Sequence, residues 1–344
     1  MTPRILVLGA GISGLSSAVC VQQACPLARV QLVAEHFSPN TTSDGAGGSW
    51  GPYLSGDTDP SLILRLCETT YRHLLRLANS SIAGEVKAQK ISGYHLYRNL
   101  PVGKQKWRHI VEGFRQLSEE EMKQFESFET GTFYTAVNVD VTPYLNWLLN
   151  RFKSLGGTVK QARVGCIEEI AKDYDIIINC TGLASRHLFN DDDVFPIRGQ
   201  VWKVRAPWIK HFYFLHEKNV DQIYLIPGVD YLTVGGTTQI GDWNSHVDVE
   251  DSAAIWEKAL AVFPMLRHAT PVKAWAGLRP ARKSLRLEPE TIEVDGQKIK
   301  VIHNYGHGGS GVTLHWGCAL EVTAMVLETL GTDQDGTKRI VSRL

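Results

Sequence analysis

Three glycines near the amino terminus restrict what this chain can fold into more than any other feature. The segment RILVLGAGISGLSSAV places Gly9, Gly11 and Gly14 in a G-x-G-x-x-G spacing. In a strand-to-helix turn of this kind, the first glycine makes the tight turn and the second lets the backbone approach a pyrophosphate. The third lets the helix pack closely on the strand. The turn therefore predicts a dinucleotide site, with the phosphates at a helix N-terminus.

The flanking sequence supports this prediction. Residues 4–9 are typical of a buried strand, 13–24 of a helix and 30–35 of a second strand, which together make a βαβ unit. Glu35 ends the second strand, where an acidic side chain accepts hydrogen bonds from a ribose. An acid at this position disfavours a 2′-phosphate, so NADP is not expected.

A second glycine-rich turn stands near the carboxyl end. The sequence HNYGHGGSGVTLHWG, residues 303–317, leads from a predicted strand into a predicted helix. An NAD enzyme needs no second turn, whereas a flavin protein must also hold a long isoalloxazine ring. The reduced ring carries negative charge near its N1–C2=O edge, which a second helix N-terminus stabilises. The two turns therefore predict FAD, with one binding the pyrophosphate and the other the ring.

Composition narrows the class of protein. The 344 residues suffice for one large domain or two ordinary ones. Thirty-six basic residues balance 36 acidic ones, which does not favour a nucleic-acid or membrane-surface partner. The six cysteines are scattered without metal-binding spacing, so we expect reduced thiols and no metal. We expect neither a signal peptide nor a membrane-spanning segment, since no apolar run reaches about twenty residues.

The distribution of strands predicts an α/β fold. Strands that read as wholly buried occur at the start, in the middle (residues 173–181) and near the end of the chain. The strands between them alternate and carry many aromatic residues. This pattern predicts a discontinuous Rossmann-like FAD-binding domain and a β-rich (α+β) substrate-binding domain. We assign residues 1–54, 143–195 and 285–344 to the first and residues 55–142 and 196–284 to the second.

Several sequence blocks resemble one known family. They are MTPRILVLGAGISGLSSAV, FSPNTTSDGAG, YDIIINCTGLASR, FPIRGQVWKVRAPW, IYLIPG, VGGTTQIGDWN, GLRP and NYGHGGSGVTLHWGCALE. They look like those of the FAD-dependent D-amino-acid oxidase and D-aspartate oxidase family. The resemblance covers nearly the whole chain, and the last block is highly specific. It implies a discontinuous FAD domain plus a β-rich substrate domain, as the strand pattern predicts.

The resemblance also implies which residues bind the cofactor. FAD is expected to bind noncovalently, although Cys318 stands close enough to the second turn to be checked for a covalent link. The implied cofactor-binding residues are Gly9, Ala10, Gly11, Ile12, Ser13, Gly14, Glu35, His36, Thr41, Thr42, Ser43, Ala46, Gly47, Gly48, Trp50, Val164, Thr181, Gly182, Gly308, Gly311, Val312 and Thr313.

Three groups are implied to bind the reacting part of the substrate. Arg279, in the segment AWAGLRPAR, would hold the α-carboxylate of a D-amino acid through its planar guanidinium. From the residues alone, an ion-paired structural arginine is an equal alternative. Tyr224 would add its hydroxyl, and the carbonyl of Gly309 would accept from the amine. No general base is required, so we interpret His303, His307 and His315 as structural. Oxygen would be the second substrate and hydrogen peroxide a product.

The preferred side chain of the substrate is less well defined by the sequence. Several blocks favour acidic D-amino acids slightly. However, Thr238 and Phe214 stand where acid-specific members of the family carry arginines. His216 and Lys218 are candidates to replace them. We also expect Ser310 and Tyr53 to contact the substrate. A neutral D-amino-acid oxidase of the same family remains the alternative.

More distant alternatives are a flavin amine oxidase or dehydrogenase acting on secondary amines or L-substrates, and a flavin-binding protein without turnover. The chain ends in Ser342, Arg343 and Leu344, a tripeptide close to the Ser-Lys-Leu address. This ending predicts recognition by the peroxisomal import receptor and a location in the peroxisome matrix. A homo-oligomer is possible on the sequence.

Overall fold

One path of hydrogen-bonded strands runs through the whole fold. The computed structural model describes residues 2–101, 103, 105–218 and 222–331, and within them fourteen strands form one sheet. The strands are β1 Arg4–Leu8, β2 Arg29–Ala34, β3 Ala88–Arg98, β4 Glu112–Gln116, β5 Thr130–Val139, β6 Thr158–Gln161, β7 Ile176–Asn179, β8 Phe195–Arg205, β9 Phe212–Glu217, β10 Tyr224–Pro227, β11 Leu232–Gly235, β12 Gln239–Ile240, β13 Thr270–Val294 and β14 Gln297–His307.

Helices cover this sheet and connect its strands. The α-helices are α1 Ile12–Ala24, α2 Pro60–Ala78, α3 Ala83–Val86, α4 Glu119–Met122, α5 Val141–Ser154, α6 Ser185–Leu188, α7 Val249–Val262 and α8 Gly311–Thr329. Single 3₁₀ turns lie at Thr42–Gly45, Lys123–Phe125, Ile167–Glu169, Ala171–Asp173, Gly182–Ala184, Pro264–His268 and Gly308–Ser310. Among the helices of the described ranges, none has the length and apolar character needed to cross a bilayer.

One end of the sheet is entirely parallel, in the order β14-β7-β1-β2-β6. The predicted βαβ unit is confirmed, since β1 pairs with β2 in parallel and Ile5 lies opposite Val30. Strand β7 is buried along its whole length, because Ile176 and Ile178 belong to the core cluster that contains α1, α5 and α8, and Ile177 belongs to a second cluster that contains the 3₁₀ turns at Ile167–Glu169 and Ala171–Asp173. Helices α1, α5 and α8 pack together against this part.

The other end is mainly antiparallel, in the order β4-β5-β3-β9-β10-β11-β8-β13, with β3 and β9 parallel to each other. Strands β10 and β11 form a hairpin, in which Tyr224 lies opposite Gly235. Strand β13 is 25 residues long. Its first part pairs with β8 and its second part with β14, so one strand joins the two parts of the sheet. The predicted α/β fold class is confirmed, and the domain boundaries stay a prediction.

A buried chain of hydrogen bonds fixes the start of α8. The Nδ1 of His315 donates to the carbonyl of Val312 at 2.7 Å, so its Nε2 accepts from the hydroxyl of Tyr144 at 2.9 Å. The Tyr144 oxygen in turn accepts from the Nε2 of His73, also at 2.9 Å. His73 stacks on Trp316, with 3.6 Å between the ring centroids. This chain links α2, α5 and α8.

The buried histidines of this hydrogen-bonded chain make the free energy of unfolding of the protein depend on pH. Burial lowers the pKa of His315 to about 4 from 6.5. Between these values the unfolded chain binds a proton that the folded chain does not, so the free energy of unfolding falls as the pH falls. In His315→Gln we expect the decrease in the free energy of unfolding at acid pH to be smaller by about 3 kcal/mol. Urea denaturation at several pH values measures it. His109→Gln, at an exposed position, should keep the wild-type slope. An unchanged slope in His315→Gln would contradict the prediction.

Candidate active site

A cavity of about 600 Å³ gathers residues from both parts of the sheet. Its walls contain most of the residues predicted to bind cofactor or substrate. These are Gly9, Ala10, Gly11, Ile12, Ser13, Glu35, His36, Thr41, Thr42, Ser43, Ala46, Gly47, Gly48, Trp50, Tyr53, Val164, Thr181, Gly182, His216, Tyr224, Arg279, Gly308, Gly309, Gly311, Val312 and Thr313. Three of the predicted or candidate residues, Gly14, Lys218 and Ser310, do not line the cavity.

The three glycines of the first turn meet different constraints. Gly9 has φ +102°, and a Cβ there would lie 2.4 Å from the carbonyl oxygen of Cys180. A Cβ on Gly14 would lie 2.0 Å from the Gly9 oxygen, so Gly14 packs α1 on β1 beneath the cavity. A Cβ on Gly11, in contrast, would meet only the Oγ of Ser43, at 3.2 Å. The fold itself needs Gly9 and Gly14, whereas Gly11 leaves room for a bound group.

The first turn also presents an open helix N-terminus. Gly11 is the N-cap of α1 and offers no side-chain cap. The backbone N–H of Ile12 donates to the Oγ of Ser43 at 3.0 Å, which ties the turn to the segment that follows β2. Glu35 and His36 line the cavity just past the end of β2, where the Nε2 of His36 lies 3.7 Å from Oε1 of Glu35. Anions bind readily at such a helix start.

The segment of residues 41–50 crosses the cavity and is fixed by side chains that the sequence analysis missed. Asp44 accepts from the backbone of Thr41 at 2.9 Å and from the hydroxyl of Thr142 at 2.7 Å. The partly buried Lys203 donates to the carbonyl of Ala46 at 3.2 Å, and loss of contact with water lowers the pKa of Lys203 to about 8. From the sequence, a lysine in a strand is expected to be exposed to solvent. Only the fold shows that Lys203 supports the backbone at Ala46.

Gly48 and Trp50 are also fixed within this segment. Gly48 has φ +77°, and a Cβ there would lie 1.9 Å from the carbonyl oxygen of Val139. The amide of Asn138 donates to the Gly47 carbonyl at 2.9 Å. Trp50 is buried, and its indole N–H donates to the carbonyl of Cys67 at 3.0 Å. The segment is therefore held in place from both sides.

The remaining predicted cofactor residues follow β6 and β7. Val164 lies in the loop after β6, and Thr181 and Gly182 lie in the turn after β7. Both the backbone N–H and the hydroxyl of Thr181 donate to the side chain of Asn179, at 3.1 and 2.7 Å. Gly182 has φ +58°, a left-handed conformation that favours glycine.

The second turn closes the cavity from the opposite side. A Cβ on Gly308 would lie 2.1 Å from the carbonyl oxygen of Leu54, and one on Gly309 would lie 2.4 Å from the ring of Tyr53. Helix α8 begins at Gly311 and has no side-chain cap. The hydroxyl of Thr313 accepts from the N–H of Gly51 at 3.1 Å and donates to its carbonyl at 2.9 Å. Residues 51–54 are thus locked against the turn.

Ser310 bonds to the backbone of Tyr53 through its hydroxyl. Its hydroxyl accepts from the backbone N–H of Tyr53 at 2.8 Å and donates to the Tyr53 carbonyl at 2.7 Å. The side chain is fully buried, and these bonds position Tyr53. A contact between Ser310 and the substrate stays a prediction. Cys318 is buried in α8 and does not line the cavity.

The cavity fits FAD. Two helix N-termini without side-chain caps open onto it, and glycines line the approaches to both. Two buried polar atoms among its lining residues, Oδ1 of Asn304 and Nε2 of His307, have no hydrogen-bond partner within the described ranges. The part of the chain that the structure describes contains no group of three or more His, Cys, Asp or Glu side chains that could hold a metal ion.

Arg279 and Tyr224 lie together at the end of the cavity formed by the antiparallel strands. A Cβ on Gly199 would lie 2.2 Å from Nη2 of Arg279, and one on Gly235 would lie 2.2 Å from Cζ of Tyr224. These glycines on β8 and β11 leave room for the side chains of Arg279 and Tyr224. A glycine in a strand indicates such a close approach, but the sequence analysis did not use this signal. Burial raises the pKa of Tyr224, and the positive charge of Arg279 opposes this shift.

Arg279 is available to bind an anion. Its Nη1 donates to the carbonyl of Thr237 at 3.3 Å, and no carboxylate lies within 4 Å of it in the described ranges. Of the other predicted contacts at this end, Tyr53 bonds to Thr238 at 3.0 Å between the hydroxyl oxygens. His216 lines the cavity, whereas Lys218 is exposed and does not. The sequence analysis missed His95, Trp107, Tyr134 and Gln222, which also line it.

Comparisons with known proteins agree with this geometry. The family model described as FAD dependent oxidoreductase matches residues 4–325. The chain is 38% identical to D-aspartate oxidase of Homo sapiens, over 95% of both chains. It is 37% identical to D-amino acid oxidase of Dugesia ryukyuensis, over 95% of this chain and 98% of that one.

Solved structures share the fold. Glycine oxidase from Geobacillus kaustophilus superposes with a TM-score of 0.76 at 18% identity, covering 97% of this chain and 96% of that chain. Iminodiacetate oxidase from Chelativorans superposes with a TM-score of 0.73 at 19% identity, covering 96% of each chain. The resemblance predicted from the sequence blocks is confirmed. This chain belongs to the family of FAD-dependent oxidoreductases that includes D-aspartate oxidase and D-amino-acid oxidase.

Proposed function

We propose that this protein oxidatively deaminates D-amino acids to 2-oxo acids and ammonia, with FAD as its cofactor and oxygen as electron acceptor. The observation that carries the proposal is Arg279, a cation without a carboxylate partner in the described ranges, placed with Tyr224 in the cavity that both glycine turns enter. The relatives named D-aspartate oxidase and D-amino-acid oxidase support it.

The residues of this chain bind and orient the substrate. The guanidinium of Arg279 and the hydroxyl of Tyr224 hold the α-carboxylate. The carbonyl of Gly309 accepts a hydrogen bond from the amine, which binds in its neutral form. With both groups held, the Cα–H bond is fixed in one direction, and this orientation lowers the barrier.

FAD, when bound, would supply the acceptor for the hydride of Cα and the route by which two electrons reach oxygen to form hydrogen peroxide. The imino acid that the substrate becomes is then hydrolysed by water. No residue has to remove a proton from Cα. The buried His303 accepts at Nδ1 from the amide of Asn179 at 3.1 Å and donates from Nε2 to the carboxylate of Glu290 at 2.8 Å. His315 belongs to the hydrogen-bonded chain beneath α8.

The test of this function is anaerobic reduction of the bound flavin. At least one of the three compounds D-asparagine, D-alanine and D-aspartate should remove the visible absorbance of the yellow protein. The L-enantiomers and the secondary amine sarcosine should leave it unchanged. Bleaching by L-amino acids or by sarcosine would favour an amine oxidase of another specificity, and no bleaching at all would favour a flavin-binding protein without turnover.

We also propose that the protein resides in the peroxisome matrix, because a peroxide-forming oxidase belongs beside catalase and the chain ends in Ser342, Arg343 and Leu344. These three residues lie outside the described residues. Deleting them should leave a fluorescently labelled protein diffuse in the cell. Binding to the import receptor and the formation of a homo-oligomer both stay predictions.

Gly11→Val should separate cofactor binding from folding. A Cβ at Gly11 meets only the Ser43 hydroxyl, at 3.2 Å, but the valine side chain would occupy the space that a pyrophosphate needs. We expect the variant to fold with a circular dichroism spectrum like that of the wild type and to lose its yellow colour on gel filtration. Gly84→Ala, where a Cβ meets nothing within 4 Å, is the control and should stay yellow. Retention of FAD by Gly11→Val would refute the position of the pyrophosphate.

Arg279→Ala should lower kcat/KM by a factor of about 100 or more, because a desolvated carboxylate loses a bidentate charged partner. Arg279→Lys should recover only part of this loss, since an ammonium does not reproduce the planar fork. Steady-state peroxide release measures both. Lys283→Ala removes a cation from an exposed position on the same strand and should remain near the wild type. Near-normal turnover in Arg279→Ala would contradict the assigned role.

A further inference from the structure

Four side chains form a continuous hydrogen-bonded row at the substrate end of the cavity. The Nε2 of Gln222 lies 3.2 Å from Nδ1 of His216, whose Nε2 lies 2.8 Å from Nδ1 of His95. The Nε2 of His95 lies 2.8 Å from the hydroxyl oxygen of Tyr134. All four residues line the cavity. The sequence did not predict that these four residues act together. The reaction proposed above does not use the row.

The chemistry of the groups determines the direction of each hydrogen bond. An amide nitrogen only donates, so Gln222 donates to Nδ1 of His216. Neutral His216 then donates from Nε2 to His95, and His95 donates from Nε2 to the Tyr134 oxygen. The hydroxyl hydrogen of Tyr134 and the carboxamide oxygen of Gln222 have no partner among the described residues. The row therefore keeps one donor and one acceptor for a ligand.

The two histidines are neutral. Burial lowers the pKa of His216 to about 4 and holds the pKa of His95 well below its usual range, where the neighbouring His216 lowers it further. His216 lies between the rings of Tyr97 and His95, with centroid distances of 4.6 and 5.0 Å. Next to this stack, Arg98 is ion-paired with Glu217 and does not line the cavity.

No free cation accompanies the row in the described ranges. Of the arginines and lysines there, only Arg163 and Arg279 line the cavity. Arg163 lies just after β6, next to the end of β2 and the first glycine turn, and Arg279 is assigned to the α-carboxylate. A side-chain carboxylate at the row would be buried without a partner, which is costly.

A line of aromatic contacts connects the α-carboxylate site to the row. The ring centroids of Tyr224 and Phe214 are 5.8 Å apart, and those of Phe214 and His95 are 4.7 Å apart. Phe214 also lines the cavity. A substrate held at Arg279 and Tyr224 thus directs its side chain past Phe214 towards the row.

We propose that the row of His95 and His216, fixed by Gln222 and Tyr134, determines the substrate preference of this protein by accepting D-amino acids with a neutral, hydrogen-bonding side chain, such as a carboxamide, and rejecting carboxylates. The proposal rests on the function proposed above and names its substrate class. It opposes the slight preference for acidic substrates that the sequence blocks favour.

D-asparagine and D-aspartate form the matched pair for the test, since they differ only in the group at the end of the side chain. At neutral pH, kcat/KM of the wild type should be at least about tenfold higher for D-asparagine. His95→Phe keeps an aromatic ring in the stack and removes both hydrogen bonds. It should lower kcat/KM for D-asparagine about tenfold, mainly through KM, and change the value for D-alanine less than about threefold. His211→Phe removes a histidine outside the cavity and should change neither.

Phe214→Arg provides the complementary variant. An arginine in the line of contacts should supply the missing cation and raise kcat/KM for D-aspartate relative to D-asparagine at least about tenfold. Equal or better turnover of D-aspartate by the wild type would overturn the proposal. An equal loss for D-asparagine and D-alanine in His95→Phe would overturn it as well, because the row would then be only structural.

Binding of unreactive analogues separates this inference from the proposed function. Succinamate and succinate are asparagine and aspartate without the amino group, so they cannot react. Calorimetry on the FAD-loaded protein measures their affinities without turnover. Tighter binding of succinamate supports the inference even if no D-amino acid reduces the flavin. Tighter binding of succinate contradicts it even if D-amino acids are oxidised.

Discussion

The structure depends on two helix N-termini that open onto the same cavity without side-chain caps. Strands β1, β7 and β14 are parallel neighbours, so their carboxyl ends lie at one edge of the sheet. Helix α1 begins just after β1, and helix α8 begins just after β14. The parallel order therefore brings two turns from opposite ends of the chain together. The partial positive charge of both helices then favours an anionic ligand between them.

The substrate end depends on β13, which carries Arg279 and pairs with β8 on one side and β14 on the other. Because β14 leads into the second glycine turn, Arg279 and the turn that carries Gly309 have a fixed spacing. Glycines on the neighbouring strands leave the volume that Arg279 and Tyr224 occupy. Orientation of the substrate is thus a property of the sheet, and reaction by hydride loss needs little beyond orientation.

The walls of the cavity are held by side chains that do not react. Asp44 and Lys203 fix the segment of residues 41–50, and Ser310 and Thr313 lock residues 51–54. The hydrogen-bonded chain that includes Tyr144 and His315 supports the start of α8. Such contacts matter because a small displacement of a bound reactant lowers the rate strongly. Their polar groups have hydrogen-bond partners, which keeps the cost of removing them from water low.

The sequence by itself determined the parts that rest on local backbone geometry. The spacing of Gly9, Gly11 and Gly14 and the run after β14 predicted both turns, and strand patterns predicted the α/β fold, because turns and strand periods depend on neighbouring residues. Tertiary structure alone decided that Ser310 bonds to Tyr53, that Lys203 supports Ala46, and that His95 meets His216. These contacts join residues far apart in the chain, and their existence depends on strand register, which a single sequence does not contain.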